Sequence, residues 1–243
     1  ELHLSVLIEN MRREGFELGV SRPEVIQKTI DGEVCEPYEQ LVLDIDEQHQ
    51  GGVMEELGLR RAELSQLALD GKGRVRLEFI VPARGLIGFR SQFLTMTSGS
   101  GIMTHIFDHY GPVTNAVLAA RQNGVLVSMV TGKSLAYALH ALQDRGRLFL
   151  DPNIQVYEGQ IVGLHSRGND LVVNPTKAKQ LTNVRASGTD EALTLSPPVK
   201  HSLEQALEFI EEDELVEVTP ESIRLRKKWL LEHERKRASR SAA

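Results

Sequence analysis

The sequence has little cysteine, few aromatic residues and no long apolar run. Its one cysteine, Cys35, excludes an intrachain disulfide and a multi-cysteine zinc site, as is typical of a reducing compartment. No window approaches the ~20 uninterrupted apolar residues of a membrane span, and acidic residues interrupt the first apolar stretch, unlike a secretory signal. With 41% hydrophobic residues among 243, the chain can still bury a sizeable core. We therefore expect a cytoplasmic, globular protein that does not bind membranes.

Complete catalytic motifs are also missing. Gly132-Lys133-Ser134 resembles the end of a phosphate-binding loop, but Val127 stands where that loop requires its first glycine. Gly99-Ser100-Gly101 lacks the third glycine of a dinucleotide-binding turn. Neither HExxH nor Gly-x-Ser-x-Gly occurs. The sequence thus predicts no catalytic residue and no nucleotide site, and Ser134 is better explained as a helix N-cap.

Two histidines offer an alternative of a different class. His105 and His109 lie four residues apart, so a regular strand would place both on one face, with Asp108 adjacent in sequence. Two imidazoles and a carboxylate suit a transition metal, but no third ligand is evident on that face. We predict two sheet-face histidines and no metal site. A small metal-dependent enzyme using His105 and His109 remains the alternative function.

Charge is distributed unevenly along the chain. Residues 201–222 contain eight acidic residues and no Lys or Arg, whereas eight basic residues stand against two acidic ones from Arg224 onwards, a local balance of +6 within a net charge of −6. Thr219-Pro220-Glu221 has the features of a helix N-terminus, and a helix from there would place Arg224, Lys227 and Lys228 on one face. We predict that these cations bind RNA; alternatively, they neutralise the acidic stretch.

A long polar segment provides the main binding prediction. Residues 174–187 contain three cations, no acidic residue and several short polar side chains able to hydrogen-bond phosphate, ribose or base edges. A solvated connection is the competing interpretation, because the segment has no aromatic residue on which a base could stack. The RNA-binding residues predicted in this loop are Asn174, Lys177, Lys179, Thr182, Asn183, Arg185 and Ser187.

Apolar periodicity divides the chain into three parts. A helix ending near Gly15 and a strand to Val20 come first, and because they are too little to form a core we expect them to complete a domain that begins upstream. Residues 36–111 predict the order β-α-β-β-α-β, the ferredoxin-like split βαβ arrangement with two helices on one face of a four-stranded sheet. Beyond Pro112 the pattern becomes an irregular mixture of strands and helices.

Several motifs resemble one protein family. They include VPARGLIGFR at 81–90 and LTNVRAS at 181–187, with shorter matches at 1–4, 13–16, 21–25, 36–39, 51–54, 99–101 and 219–227. Together they resemble the elongation factor G class of translational GTPases, including a C-terminal domain confined to one branch of that class. The resemblance implies an α+β fold, with part of domain III at 1–32, a ferredoxin-like domain V at 33–111 and an irregular α+β C-terminal domain at 112–243.

The resemblance also implies a function. Full-length members hold GTP and Mg²⁺ in an N-terminal P-loop domain and hydrolyse GTP on the ribosome, and since these 243 residues contain no such domain we expect neither cofactor nor enzymatic activity here. We expect a monomeric, ribosome-associated bacterial protein involved in 50S subunit assembly and in stress or cold adaptation. The expected partners are the 50S or 70S particle, 23S rRNA, and an A-site tRNA near the 174–187 loop. Arg84 and Arg90, around the start of the second helix of domain V, are expected to bind rRNA phosphate.

Overall fold

The structure is a computed structural model that describes residues 2–114, 121–178 and 194–242. The chain divides into two compact units. We call Pro23–Ala120 the central unit, and Glu1–Arg22 together with Arg121–Ala243 the composite unit. Among the described residues no helix has the length and apolar character needed to cross a membrane.

The elements follow one another along the chain as six helices and fourteen strands within the described ranges. The helices are α1 Leu2–Arg13, α2 Gln50–Leu59, α3 Phe89–Met96, α4 Ala136–Leu142, α5 Leu203–Phe209 and α6 Glu232–Ala242. The strands are β1 Leu18–Ser21, β2 Lys28–Ile30, β3 Glu33–Asp46, β4 Glu63–Leu69, β5 Arg74–Pro82, β6 Ile102–Pro112, β7 Val125–Ser128, β8 Gly132–Lys133, β9 Gly146–Leu148, β10 Gln155–Val156, β11 Gln160–His165, β12 Leu171–Val173, β13 Glu214–Val218 and β14 Ile223–Lys227.

The central unit has the predicted ferredoxin-like order. Strand β3 pairs antiparallel with β5 on one side and with β6 on the other, and β4 extends the sheet beyond β5. Helices α2 and α3 connect β3 to β4 and β5 to β6, which is the order β-α-β-β-α-β. Alternate residues of β3 and β5 are buried with Phe89 and Phe93 of α3, because successive strand side chains point to opposite faces. The predicted α+β class is therefore confirmed.

The apolar spacing predicts a helix from about Gly85 to Met96, and helix α3 begins four residues later, at Phe89. Ala83–Leu86 form a 3₁₀ turn, and Gly88 then adopts a left-handed conformation with φ of 72° that separates the turn from α3. Arg60, at the end of α2, is buried and donates to the Gly85 carbonyl and to the Gln92 side chain. This arginine therefore fixes the 3₁₀ turn against both helices of the central unit.

The composite unit is built on a sheet of order β1-β13-β14-β11-β7-β12, with β9 also paired to β11. Strand β7 is buried on both faces: Val125 and Val127 pack with α1 and α5, while Leu126 packs with α4 on the other side. A strand that is buried on both faces has apolar residues at successive positions of its sequence rather than at alternate ones. The two apolar clusters together form the core of this unit.

The first residues of the chain belong to this sheet. Strand β1 pairs with β13 from Leu18↔Val218 to Ser21↔Leu215, and Ile8 of α1 is buried against α5. The backbone groups of β1 thus find their partners in a strand about two hundred residues away. The predicted division at residue 32 differs from the observed one, which separates residues 22 and 23.

The predicted helix from Pro220 is wrong. Residues 214–218 and 223–227 form a β-hairpin, whose turn is closed by the Thr219 hydroxyl accepting from the Ser222 amide. Val216 and Val218 on β13 and Leu225 on β14 are buried at alternate positions, the period of a strand with one face in the core. The Thr-Pro-Glu sequence that resembled a helix start forms the turn instead. Strand β12 was also missed, since three residues in a long polar segment give no periodicity.

Candidate nucleic-acid interface

The start of the predicted basic loop is anchored on the composite unit. The Pro175 carbonyl accepts from the Leu135 amide at 3.0 Å, and Asn174 Oδ1 accepts from both the amide and the hydroxyl of Thr176 at 2.9 Å. Asn174 therefore stabilises the turn, which sequence reasoning did not predict, while Lys177 is exposed two residues beyond the anchor. The other predicted loop residues, Lys179, Thr182, Asn183, Arg185 and Ser187, lie outside the described residues.

Lys227 is enclosed by carboxylates. Its ammonium lies 2.6 Å from Asp170, 2.9 Å from Asp213 and 3.0 Å from Glu214, and its side chain is 3% exposed. Burial alone lowers the pKa of Lys227, but the three carboxylates outweigh it and hold that pKa above its ordinary value. An ammonium enclosed in this way cannot reach an RNA phosphate. The RNA prediction is therefore wrong for Lys227, and neutralisation of the acidic stretch is the correct alternative there.

The other two C-terminal cations differ from Lys227. Arg224 lies on β14 with a guanidinium nitrogen 3.5 Å from Glu217, and Lys228 follows the strand and is exposed. Because residues three apart on a strand point to opposite faces, Arg224 and Lys227 do not share the single face that a helix would have given them. Of the three predicted C-terminal contacts, Lys228 is the most accessible.

Arg84 also has an internal role. Its guanidinium forms an ion pair with Glu36, whose side chain is completely buried, and donates to the Thr114 carbonyl. Glu36 additionally accepts from the Thr114 amide at 2.7 Å, so the pair joins β3, the 3₁₀ turn and the end of β6. Leaving a buried carboxylate without its cation is costly. The phosphate contact predicted for Arg84 is thus not supported, whereas Arg90 is exposed at the second residue of α3.

The structure brings together three exposed arginines that the sequence did not single out. Arg147 on β9 pairs with Leu164 on β11, the Ser166 amide donates to the Arg145 carbonyl, and Arg167 lies two residues beyond the end of β11. In the described part of the chain none of their guanidinium groups pairs with a carboxylate. We call Arg145, Arg147 and Arg167 the arginine patch. Only the pairing of β9 with β11 unites them, although the Arg-Gly-Arg sequence at 145–147 was a local signal.

Glycine makes this pairing possible. A Cβ atom on Gly146 would lie 1.9 Å from the Leu164 carbonyl oxygen, and one on Gly163 would lie 2.6 Å from the Arg147 carbonyl oxygen. Real Cβ atoms do not approach backbone oxygens so closely, so both positions require glycine for steric reasons. The two glycines therefore allow β9 to approach β11 and place the arginine patch.

The two histidines of the alternative function do not share a face. Tyr38 pairs with His109 while Glu39 pairs with Phe107, so Asp108 is an extra residue in β6, a β-bulge. The bulge reverses the alternation and puts His105 on the side of Glu39 and His109 on the side of Tyr38. His105 Nδ1 bonds the Glu39 carboxylate, and His109 Nδ1 lies 2.6 Å from Asp108. Within the described residues no three His, Cys, Asp or Glu side chains group as metal ligands.

The partial phosphate-loop motif has a structural explanation. Gly132 and Lys133 form β8, which pairs with β10, and α4 begins only at Ala136. The Ser134 hydroxyl donates to the Asp151 carbonyl at 2.9 Å and accepts from the Ile154 amide at 3.0 Å. Ser134 is therefore not the N-cap that the sequence predicts, but a bridge to the 151–154 turn.

Comparisons with known proteins divide the chain near residue 121, as the structure does. Residues 33–121 match the family described as elongation factor G C-terminus, and residues 123–232 match the TypA/BipA C-terminal domain. Proteins named large ribosomal subunit assembly factor BipA are 63% identical in Haemophilus influenzae, 62% in Salmonella typhimurium and 56% in Buchnera aphidicola, each over 99% of this chain. The chain spans 39–40% of the length of these relatives.

A crystal structure from Thermus thermophilus overlaps 34% of this chain and 12% of its own, at 23% identity and a TM-score of 0.33, too low to inform the fold. The sequence matches, in contrast, extend without interruption from the central unit through the composite unit, and they agree with the resemblance seen in the motifs. The chain belongs to the TypA/BipA family.

Proposed function

We propose that this chain binds the ribosome through RNA of the large subunit, as the C-terminal part of a BipA-type translational GTPase that acts in 50S assembly. The observation that carries the proposal is the 62–63% identity, over 99% of the chain, to relatives named for large-subunit assembly. At this identity about three in five residues of the chain are the same as in these relatives. We therefore expect the chain to share the partner for which the relatives are named.

The distribution of accessible cations supports RNA as the direct partner. Although the chain carries a net charge of −6, the composite unit places the arginine patch on its surface, without carboxylate partners among the described residues. Lys177 is exposed at the start of the 174–187 loop, and Arg90 is exposed on the central unit. Cations that are not already neutralised are the ones that release counterions when they bind phosphates. These groups are the proposed contacts to 23S rRNA.

The finer parts of the proposal come from the family. The 174–187 loop is proposed to lie at an A-site tRNA, with Lys177, Lys179 and Arg185 on phosphates. GTP and Mg²⁺ are proposed to bind in the N-terminal region of the whole protein, because no complete phosphate-binding loop occurs in these 243 residues. The protein is further proposed to be a monomer that resides in the cytoplasm on 50S or 70S particles. It is also proposed to act in stress or cold adaptation.

Cosedimentation with purified 50S and 70S particles across a salt titration tests it. The test variant is Arg145→Glu/Arg147→Glu/Arg167→Glu, and the matched control is Lys72→Glu, an exposed cation in the β4–β5 hairpin. If the patch contacts phosphate, the test variant should bind more weakly and its log–log salt slope should fall by about 0.7 to 0.9 per lost contact. The control should bind like the parent chain.

Two results would contradict the proposal. If the parent chain fails to cosediment at low salt, the proposal that this chain binds the ribosome is refuted. If the parent chain and the triple variant have equal affinity and an equal salt slope, the arginine patch is refuted as the RNA contact. Lys177→Ala would then test the 174–187 loop. Circular dichroism of each variant would verify that the fold is unchanged.

A further inference from the structure

The segment that links β14 to α6 exposes apolar side chains. Trp229, Leu230 and Leu231 are each between 37% and 39% exposed, and Trp229 is the only tryptophan of the chain. Single exposed apolar residues are ordinary on protein surfaces, but three in succession that include an indole call for an explanation.

This segment is held firmly at several points. Gly159, with φ of 86°, packs against Leu230 so closely that a Cβ atom would lie 2.7 Å from the Leu230 Cα. The Lys228 amide donates to the Asp213 carbonyl at 2.7 Å. Arg235 of α6 donates to the carbonyls of both Trp229 and Leu230. The indole is therefore presented from a fixed backbone and not from a frayed chain end.

One cation contacts the exposed indole, and others follow it along the chain. The Lys228 ammonium lies 5.5 Å from the centre of the Trp229 ring. Helix α6 exposes Arg237 and Arg240, as well as Lys236, which is paired with Glu232. Residues 228–240 contain five Lys or Arg against two Glu, a balance of +3. An aromatic ring beside a series of cations combines a stacking surface with phosphate neutralisation, the two features that single-stranded nucleic acids require.

We propose that Trp229 is a stacking platform for an unpaired RNA base, with Lys228 and the exposed cations of α6 on the flanking phosphates. The inference rests on the proposed function, since it assumes that the chain binds RNA, and it adds residues that belong neither to the arginine patch nor to the 174–187 segment. The density of positive charge favours RNA over an apolar protein surface as the occupant. An anionic membrane surface is the other chemistry that the same residues would suit.

The single tryptophan makes the contact directly measurable. A twelve-nucleotide oligouridylate, which has little structure of its own, is titrated into the chain at low salt. Binding is followed by anisotropy of a labelled copy, and stacking by quenching of the Trp229 emission with an unlabelled copy. We expect quenching to follow the same binding curve as anisotropy, because the only indole lies at the proposed contact.

Variants separate stacking from general charge. Trp229→Ala should weaken binding by about 5- to 150-fold, the effect of removing one base–aromatic contact, whereas Trp229→Phe should retain part of the affinity. The matched control is Tyr137→Ala, which removes an aromatic side chain of the composite unit that is 41% exposed on α4. The control should leave oligonucleotide affinity unchanged, and thermal melting should verify that each variant is folded.

The outcomes distinguish this inference from the proposed function. Binding by anisotropy without quenching, and with equal affinity in Trp229→Ala, would refute the platform but leave RNA binding intact. Absence of oligonucleotide binding, with normal cosedimentation on ribosomes, would likewise refute the platform and retain the proposed function. A blue shift of the emission with phosphatidylserine vesicles, and no change with RNA, would overturn the proposal in favour of a membrane surface.

Discussion

Replacing Lys227 with methionine removes a cation that the fold encloses. The ammonium lies within 3.0 Å of three carboxylates, of which Glu214 has no exposed surface. Arg121 still donates to both oxygens of Glu214, at 2.8 and 3.0 Å, so the buried charge keeps one partner. Methionine approximates the length of the lysine stem and leaves little cavity. The loss of one partner from a buried ionic network is therefore the main effect.

The magnitude follows from this geometry. Breaking a buried ion pair by removing one partner costs about 3–5 kcal/mol. Because Arg121 remains on Glu214, and because Asp170 and Asp213 are partly exposed and regain water, we expect about 3 kcal/mol, at the lower end. For a chain of this size that free energy corresponds to a fall in melting temperature of about 6–12 °C. Lys228→Met, at the adjacent exposed position, should change stability by less than about 0.5 kcal/mol.

The assay is thermal unfolding at several pH values, combined with oligonucleotide binding. Burial raises the pKa of Glu214, but its hydrogen bonds to Arg121 and the charge of Lys227 prevail and hold the pKa below 4.5. A carboxylate with a depressed folded pKa contributes stability above about pH 4.5 that is lost as the pH falls through the folded pKa. The difference between the parent chain and Lys227→Met should therefore shrink in acid. A variant that melts with the parent, or that loses RNA affinity while folded, would refute the enclosed role.

Two further predictions concern His201 and Gly146. His201 packs against Phe149 and Phe209, its buried Nε2 has no hydrogen-bond partner among the described residues, and burial lowers its pKa. Stability should therefore be complete above about pH 6.5 and fall below it. His201→Phe, but not His233→Phe on exposed α6, should flatten that fall in urea unfolding between about pH 7.5 and 5.5. Gly146→Ala should destabilise the composite unit by about 1–3 kcal/mol, because the added Cβ atom would clash with the Leu164 carbonyl. The control is Gly19→Ala, whose added Cβ atom would have no heavy atom within 4 Å. Equal stability of the two variants would contradict the close-packing argument.

The ferredoxin-like unit was predictable because its information is local. The core residues Leu41, Leu43 and Ile45 occupy every second position of β3, and the Asp70–Gly73 turn directly joins two strands that pair with each other. Each of these signals lies within one strand or one hairpin. The order of helices and strands in this unit can therefore be predicted from local sequence patterns, without knowledge of any long-range contact.

The C-terminal hairpin shows where local signals fail. Thr219-Pro220-Glu221 satisfies the rules for a helix start, and the same residues also form a turn between two strands. Whether these residues form a helix or a hairpin depends on strands that lie far away in sequence. Strand β13 pairs with β1 on one side and with β14 on the other, and β14 pairs with β11. The backbone groups of both strands are thus satisfied by a sheet whose other members begin at residues 18 and 160. Local propensity yields to this tertiary pairing.

Charge alone also selected two cations, Arg84 and Lys227, that are paired inside the fold. Sequence composition counts Arg84, Lys227 and Lys228 equally, yet the first two neutralise carboxylates that are 48 residues away in the case of Glu36, and 57, 14 and 13 residues away for Asp170, Asp213 and Glu214. A cation that is already paired inside the fold has little counterion to release, so it adds little to polyanion binding. The arginine patch and Lys228 remain unpaired with carboxylates among the described residues, and the patch exists only because β9 and β11 meet. In an acidic chain of this kind, the pairing state of each cation, and not the local excess of positive charge, is the basis on which we propose an RNA-binding surface.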